Sequence, residues 1–247
     1  MNMEMNFSGD SAAIARIKAK GIKLPMMITK ETRMAVNIKT GVLGSVNDFP
    51  IVLSLKDEIS KKTVNDNDSN EAPDPLIGQS IYGQCTADGK MRIDSISGKI
   101  IDDQTKNAIS TSISKLLNQM QFPTNPMKIG DTFNQKEPFN LPIAGSNINM
   151  TIDIVYKLVS VEGNVAYFDL DESMDFDMSI EKNGTSMLIK GNGKGNGKLV
   201  YDIKGNYSID RNSDLKVNYA MQLGKLQVAA EGEISTTIKT QMSALVN

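Results

Sequence analysis

Runs of alternating apolar and polar residues between residues 147 and 243 constrain the fold of this chain more than any other feature. Successive side chains in a β-strand point to opposite faces, so this spacing makes one apolar face and one polar face. The pattern therefore predicts a long-stranded antiparallel sheet over residues 147–243. The apolar positions are Ile148, Met150, Ile152, Ile154, Tyr156 and Leu158; Met174, Phe176, Met178 and Ile180; Leu199, Tyr201, Ile203, Tyr207 and Ile209; and Leu215, Val217, Tyr219, Met221 and Leu223.

Polar turn sequences separate these runs. We expect turns at Glu162-Gly163-Asn164, Asn183-Gly184, Asn212-Ser213-Asp214 and Gly224-Lys225. Gly, Asn and Asp favour turns because they tolerate the left-handed backbone or hydrogen-bond their own main chain.

Two segments have helical rather than strand spacing. Residues Ser11–Leu24 carry a short apolar stripe before Pro25, and Asp102–Gln121 carry a longer one through Ile113 and Leu117. Each amphipathic helix must bury its stripe, and the apolar face of the sheet is the largest partner available. The sequence therefore predicts an α+β fold, mostly antiparallel β, in which a strongly curved half-barrel sheet wraps over two main helices.

The domain organisation follows from length and from one polar segment. A chain of 247 residues is long enough to bury a sizeable core, and all-β folds of this size are often single domains. The most polar segment, Asn65–Pro75, predicts an exposed loop. We therefore expect one domain over residues 1–247.

The composition excludes several functional classes. The chain has no His and one Cys, which removes the commonest general base and the commonest metal ligand. We therefore expect no catalytic residues, no cofactor-binding residues and no metal ligands, and we predict that the protein is not an enzyme. The formal net charge of -2 gives no field that would favour nucleic acid.

A glycine-rich run, Gly191–Lys198, has the composition of a phosphate-binding loop. Such a loop must open a helix, whereas a further strand begins here at Leu199, and a P-loop needs Ser or Thr at that position. The alternative is structural, because Gly191, Gly193, Gly195 and Gly197 fall on one face. Their spacing predicts a bent strand.

Two acidic segments have the composition of calcium or carboxylate-pair sites. Asp169, Asp171, Asp175 and Asp177 share one strand face, which more often is simply solvated. The segment 66–77 begins like a calcium-binding loop but lacks the Gly and Glu that such a loop requires. Neither segment is assigned a metal.

Three further features have both a structural and a functional interpretation. Cys85 has no His to activate it, which favours a structural thiol. The basic residues Arg16, Lys20 and Lys23 either form a solvated helix face or contact anionic headgroups. The fifteen Met residues either fill a core or line an adaptable apolar groove, which we would expect near Met174, Phe176 and Met178.

One resemblance extends from Leu76 to the C-terminus. A strand led by Leu76-Ile77-Gly78-Gln79 turns at Asp88-Gly89-Lys90, and the second predicted helix is followed by Phe122–Phe133, FPTNPMKIGDTF. This segment resembles bacterial exported lipoproteins of unknown function, in which a helix precedes the pattern P..P...GD.W; here Phe133 replaces the Trp. Those proteins are similar in architecture to half-barrel lipoprotein carriers of the Lol type and to mycobacterial lipid-binding lipoproteins. The resemblance implies a curved sheet over helices with an acyl-chain site, and it carries over no site residues.

The expected function follows from these points. We expect a non-enzymatic protein of the cell envelope that binds or shields a lipid or acyl chain. The alternative is a structural or protein-interaction module with a filled core and an envelope protein as its partner. The first residues, MNMEMNFSGD, do not form a signal peptide, and no apolar run approaches the ~20 residues that span a membrane. A periplasmic or outer-membrane-anchored location is expected, with a cytoplasmic one as the alternative.

Overall fold

The computed structural model describes residues 1–42, 44, 48–69, 76–86, 91–97, 122–123, 125–143, 146–182 and 185–241. This part contains twelve strands and one helix, α1 (Ser11–Ala19). The strands are β1 (Asn2–Gly9), β2 (Met26–Thr40), β3 (Asp48–Val64), β4 (Asn67–Ser69), β5 (Ser80–Thr86), β6 (Met91–Ile96), β7 (Thr132–Ile143), β8 (Ser146–Glu162), β9 (Val165–Lys182), β10 (Thr185–Asp202), β11 (Tyr207–Leu223) and β12 (Leu226–Lys239).

The chain forms two compact units. The first comprises Met1–Thr29, Thr63–Asn67 and Gln121–Asn247, and the second comprises Lys30–Lys62 and Asp68–Met120. Strands of the first unit follow the order β2-β1-β12-β11-β10-β9-β8-β7, and those of the second follow β6-β5-β3-β2, with β4 beside β3. The expectation of one domain over residues 1–247 stays a prediction.

The first unit buries one face of its long strands, which we call the inner face. The alternation in the sequence predicts this face correctly, and the antiparallel sheet is confirmed. Its buried apolar residues are Met3 and Met5 on β1; Ile152, Ile154, Tyr156 and Leu158 on β8; Ala166, Phe168, Leu170, Met174 and Phe176 on β9; Met187, Ile189, Leu199 and Tyr201 on β10; Leu215, Val217, Tyr219 and Met221 on β11; and Val228 and Ala230 on β12.

The predicted fold class is wrong in its helices and in how the sheet is covered. In the described residues the only helix is α1, whose nine residues include no buried side chain. Asp10 caps it, accepting from the amides of Ala12 (2.9 Å) and Ala13 (3.1 Å), but it ends at Ala19 rather than Leu24. A helix this short carries too little apolar surface to cover a wide sheet. The second predicted helix, 102–121, lies outside the described residues, and the described sheet is open rather than closed, with β6 and β7 at its edges.

The turns are predicted correctly in part. Gly163 and Gly224 lie in turns with positive φ, as the sequence predicts. Asn212-Ser213-Asp214 instead lies inside β11, and the chain turns at residues 203–206, where we predicted strand. This turn is closed by the Asp202 carboxylate, which accepts from the Gly205 amide at 2.6 Å. The expected turn at Asn183-Gly184 lies outside the described residues.

Asn65, the first residue of the predicted exposed loop Asn65–Pro75, is buried, so the prediction is wrong at this residue. It is 9% exposed and adopts a positive φ of 48°. Its side-chain oxygen accepts from the Met27 amide at 2.8 Å, and its side-chain nitrogen donates to the Lys23 carbonyl at 2.8 Å. Asn65 therefore ties the end of β3 to the start of β2, while 70–75 lie outside the described residues.

The second unit has its own apolar core. Ile51, Leu53 and Leu55 of β3 pack with side chains from β5 and β6. The buried members of this core are Ile51, Leu53, Ile81, Cys85, Ile93 and Ile96.

The glycine run lies inside β10, which pairs in unbroken register with β9 from Thr185 to Asp202 and with β11 from Met187 to Val200. The strand prediction for this run is therefore confirmed. A Cβ added at Gly195 or Gly197 would clash with the Asp214 or Asn212 carbonyl oxygen of β11. The two backbones approach too closely on the inner face for side chains at these positions.

Gly197→Val should therefore destabilise the fold by at least ~1–3 kcal/mol, because the new side chain meets backbone that cannot move away. Asn196→Val places the same residue on the exposed face of the same strand and is expected to change stability by less than ~0.5 kcal/mol. Urea unfolding of both variants measures the difference. Equal stabilities for the two variants would contradict this account of the glycines.

Candidate functional site

A group of ionic and hydroxyl side chains lies at one end of the otherwise apolar inner face. Arg211 donates to Glu137 at 2.6 Å and to Glu172 at 3.2 Å. Ser213 donates to the second oxygen of Glu172 at 2.5 Å, and the Tyr156 hydroxyl donates to Glu137. We call Glu137, Tyr156, Glu172, Arg211 and Ser213 the inner-face ionic cluster.

The cluster is deeply placed. The side chains of Glu172, Arg211 and Glu137 are 2%, 20% and 27% exposed, respectively. Buried charges need both an opposite charge and hydrogen bonds, and this cluster supplies both to Glu172. It therefore fixes the relative positions of the strands that carry it.

The cluster shows how strongly the first unit curls. Arg211 lies on β11 and Glu137 on β7, four strands away in the sheet order. On a flat sheet that separation is ~19 Å, more than the two side chains can span. The inner face must therefore fold toward itself for the ion pair to form.

The glycines of β10 make room for this arrangement. Glu172 on β9 pairs with Gly195, and Ser213 on β11 pairs with Gly197. The Glu172 carboxylate reaches Ser213 across β10, where no side chain intervenes. Farther along, Met174 lies over Gly193 and Phe176 lies over Gly191. Side chains of β9 thus occupy the space that the glycines leave.

Electrostatics keep Arg211 charged and Tyr156 neutral. Burial would lower the pKa of Arg211, but the neighbouring charges of Glu137 and Glu172 and the hydrogen bond to Glu137 outweigh it and raise that pKa. Burial, and next the charge of Glu137, raises the pKa of Tyr156 well above its ordinary range. Tyr156 therefore stays protonated and acts as a hydrogen-bond donor, not as a base.

The sequence carries a signal for this cluster, although no member of the cluster was predicted as a site residue. Glu172 has the same strand parity as Phe168, Leu170 and Met174, so it must point to the apolar face. Arg211 likewise shares the parity of Leu215 on β11. Two charged residues at apolar positions predict a buried ion pair. Arg211 was not recognised as one of them because a turn was wrongly predicted at residues 212–214, directly after it.

The segment of the resemblance forms the border of the inner face. Gly130 has a φ of +95° and donates its amide to the Leu158 carbonyl at 2.8 Å, while the Leu158 amide donates to the Asp131 carbonyl at 3.0 Å. The Asp131 carboxylate accepts from the Lys128 amide at 2.7 Å. The Gly-Asp pair thus closes a turn onto β8, which accounts for these two residues structurally.

Aromatic rings continue from this turn toward the cluster. Phe133 stacks on Tyr156 with ring centroids 4.8 Å apart and planes 8° apart. Phe122 contacts Phe133 and meets Tyr201 edge-on at 4.9 Å. Tyr156 therefore joins the aromatic packing through its ring and the ionic cluster through its hydroxyl.

A shallow depression of about 710 Å³ lies on the opposite, polar face of the first unit. Ala220 and Ala229, which are opposite each other on β11 and β12, leave space between longer side chains. Three carboxylates and one amine border it, so its surroundings are acidic. The polar side chains that line it are Asn6, Asp175, Asp177, Lys190, Asn192, Asn218 and Glu231.

The acidic strand proves to be a solvated face. Asp169, Asp171, Asp175 and Asp177 are exposed on β9. Lys190 of β10 pairs with Asp177 at 2.8 Å. Asp169 lies opposite Lys198, whereas Asp171 and Asp175 lie opposite the neutral Asn196 and Asn192.

The other candidates from the sequence are placed separately. Cys85 is buried in the core of the second unit and takes part in no disulfide. Arg16, Lys20 and Lys23 are exposed. Met174 and Phe176 are 2% and 8% exposed, and the depression that includes Phe176 opens on the polar face rather than as an apolar groove.

Within the described residues, no three His, Cys, Asp or Glu side chains are grouped closely enough to hold a metal ion. No helix in the same part is long and apolar enough to cross a membrane.

Comparison with known proteins gives one match. Residues 95–205 match the model of a family described only as a family of unknown function (DUF6263), a span of less than half of the chain. No curated protein and no solved structure matches the chain. The matched span includes β7, β8 and β9, and so three members of the ionic cluster: Glu137, Tyr156 and Glu172.

Arg211→Met should destabilise the protein by ~3–5 kcal/mol, because it leaves the buried Glu172 carboxylate and the half-buried Glu137 carboxylate without their cation. The matched control is Lys216→Met on the same strand, where an exposed ion pair with Glu233 at 3.3 Å is lost. That substitution is expected to lower the free energy of unfolding by less than ~1 kcal/mol. Chemical denaturation compares them; a loss for Arg211→Met no larger than for the control would show that the cluster does not hold the sheet.

Burial raises the pKa of Tyr219 to about 12. The unfolded state, with a pKa of ~10, ionises first as pH rises, so stability is complete below pH ~10 and is lost between pH ~10 and ~12. Between pH ~10 and ~12 the free energy of unfolding should fall less for Tyr219→Phe than for the wild type, and the two decreases should differ by up to ~2–3 kcal/mol. Tyr82→Phe, at a side chain that is 43% exposed, is the control. Parallel pH profiles for Tyr219→Phe and the wild type would refute the assignment.

Proposed function

We propose that this chain is a non-enzymatic interaction protein with a filled inner face and no small-molecule ligand. The observation that carries this proposal is the closure of the ionic cluster upon itself. Glu137, Glu172, Arg211, Tyr156 and Ser213 bond to one another, so both carboxylates of the cluster have their partners within it. In the described residues, the only buried side-chain oxygen or nitrogen without a partner is Ser208 Oγ.

The packing of the inner face supports the same proposal. The glycines of β10 are covered by Met174 and Phe176 rather than facing open space. Native interiors pack densely, and a site for a small ligand needs a cavity of several hundred cubic ångströms. A cell-envelope location for this protein stays a prediction.

The polar face offers no alternative for an apolar ligand. The depression there is bordered by Asp175, Glu231 and three Asn side chains. An acyl chain placed on it would cover these polar groups without hydrogen-bonding them, which is unfavourable. A contact with a polar macromolecule is better matched to this surface.

A second candidate function is the binding of a lipid or acyl chain on the inner face. The observation that favours it is the set of flexible methionines there, because Met adapts to varied apolar ligands. These are Met3, Met5, Met174, Met187 and Met221. The ionic cluster holds two carboxylates and one guanidinium, so this face would prefer a ligand without an anionic headgroup.

Native mass spectrometry of the protein purified from its own host separates the two candidates. The proposed function predicts the mass of the polypeptide alone and no binding of a fluorescent acyl probe. The matched variant is Gly193→Ala, which would fill inner-face space beside Met174 and is expected not to alter the probe signal. A co-purifying lipid, or probe binding that Gly193→Ala abolishes, would replace the proposal with the second candidate.

A further inference from the structure

Strand β2 has an exposed edge along most of its length. Strand β1 pairs with it only from Met26 to Thr29. From Glu31 to Thr40 every side chain is exposed, whichever face of the strand it lies on. An exposed strand edge can add a further strand, which supplies main-chain hydrogen bonds.

The direction of the outward hydrogen-bonding groups follows from Asn65. The Met27 amide and carbonyl both bond Asn65, at 2.8 Å and 2.9 Å, and so point toward β3. Backbone groups alternate along a strand, so odd-numbered residues direct theirs to β3 and even-numbered residues direct theirs outward. Residues 32, 34, 36 and 38 therefore present donors and acceptors at the edge.

The sequence of this edge is complementary to itself. In an antiparallel pair related by a two-fold axis at Ala35, each residue lies opposite the one equally far on the other side. Glu31 then faces Lys39, and Met34 faces Val36, twice in each pair. The even residues that point outward face one another, as an antiparallel ladder requires.

Other symmetric registers fit less well. Moving the axis to Val36 places Arg33 opposite Lys39, and moving it to Met34 removes the match between Glu31 and Lys39. Met34, Val36 and Ile38 are 48%, 37% and 42% exposed and lie on one face. An axis at Val36 would pair these three with one another, but it places the like charges of Arg33 and Lys39 opposite each other twice, so the charges select the axis at Ala35. Pairing about Ala35 would cover Met34 with Val36 of the second copy, and Ile38 with Thr32.

We infer that the edge of β2 from Glu31 to Lys39 pairs antiparallel with the same edge of a second copy of this chain, about a two-fold axis at Ala35. The contact buries two strand edges and one apolar stripe, an area at the low end of specific interfaces, so the dimer is weak and reversible. Glu31 contacts Arg33 of its own strand at 2.6 Å, and a carboxylate has capacity for a second cation.

This inference names a partner for the interaction protein proposed above and rests on that role, but its test is separate. Lipid binding would overturn the proposed function and leave self-pairing standing, whereas a monomer would overturn the self-pairing alone. Analytical ultracentrifugation measures the self-pairing as the dissociation constant of the dimer.

Charge variants test the register. Glu31→Lys and Lys39→Glu alone each place like charges opposite one another twice and should raise the dissociation constant by about ten-fold. The double variant restores both pairs in reversed order and should return it to within a few-fold of the wild type. A wild type that is monomeric at all concentrations, or a double variant weaker than both singles, would overturn the inference.

A disulfide provides an independent measurement. Ala35 lies opposite its own equivalent in a non-hydrogen-bonded pair, where Cα atoms are ~4.5 Å apart and within reach of a disulfide. Ala35→Cys should form a covalent dimer under mild oxidation. Asn37→Cys is the control, because its equivalent would lie ~13 Å away. The native Cys85 is buried and does not interfere. Equal cross-linking of both variants, or none at position 35, would refute the register.

Discussion

The guanidinium of Arg211, held between two carboxylates, is the interaction on which the inner face of the first unit depends. It joins Glu137 of β7 to Glu172 of β9 from a position on β11, and these strands meet only if the sheet curls strongly. A charge this deeply buried is unfavourable unless it is paired, so each partner requires the others. The curvature of the sheet and the pairing of the charges therefore stabilise each other.

The glycines of β10 make this cluster possible, because they place no side chain between Glu172 on β9 and Ser213 on β11. They let β10 and β11 approach closely, and they leave a gap that Glu172, Met174 and Phe176 fill from β9. A run that has the composition of a phosphate loop thus lies in a regular strand, where it makes room for the side chains of β9. In the function that we propose, the polar face and the edge of β2 are the surfaces that contact partners.

The alternation of the sequence predicted most of the inner face, because strand parity is a local property of the backbone. Ile203 is an exception, since it lies in a turn and is 49% exposed. The same parity, followed through the acidic run, places Glu172 on that face. The helices were predicted less well. The stripe of α1 is too short to bury, and a helical pattern alone does not say how much of a sheet it covers. The turn at residues 203–206 was not predicted because Ile203 and Tyr207 keep the alternating spacing of a continuous strand. The side chains of Asp202 and Asn206 stabilise this turn through hydrogen bonds.

By itself, the sequence determined the strands, their apolar faces and the absence of a His-based chemistry, since these depend on residue type and near neighbours. Only the tertiary structure decided that Arg211 reaches Glu137 across four strands, that Asn65 is buried against Met27, and that the pairing of β2 with β1 ends at Thr29. These contacts join residues far apart in the chain, and their formation depends on how the sheet curls and where each strand ends. No local pattern encodes that information, because it arises from the packing of all the strands together.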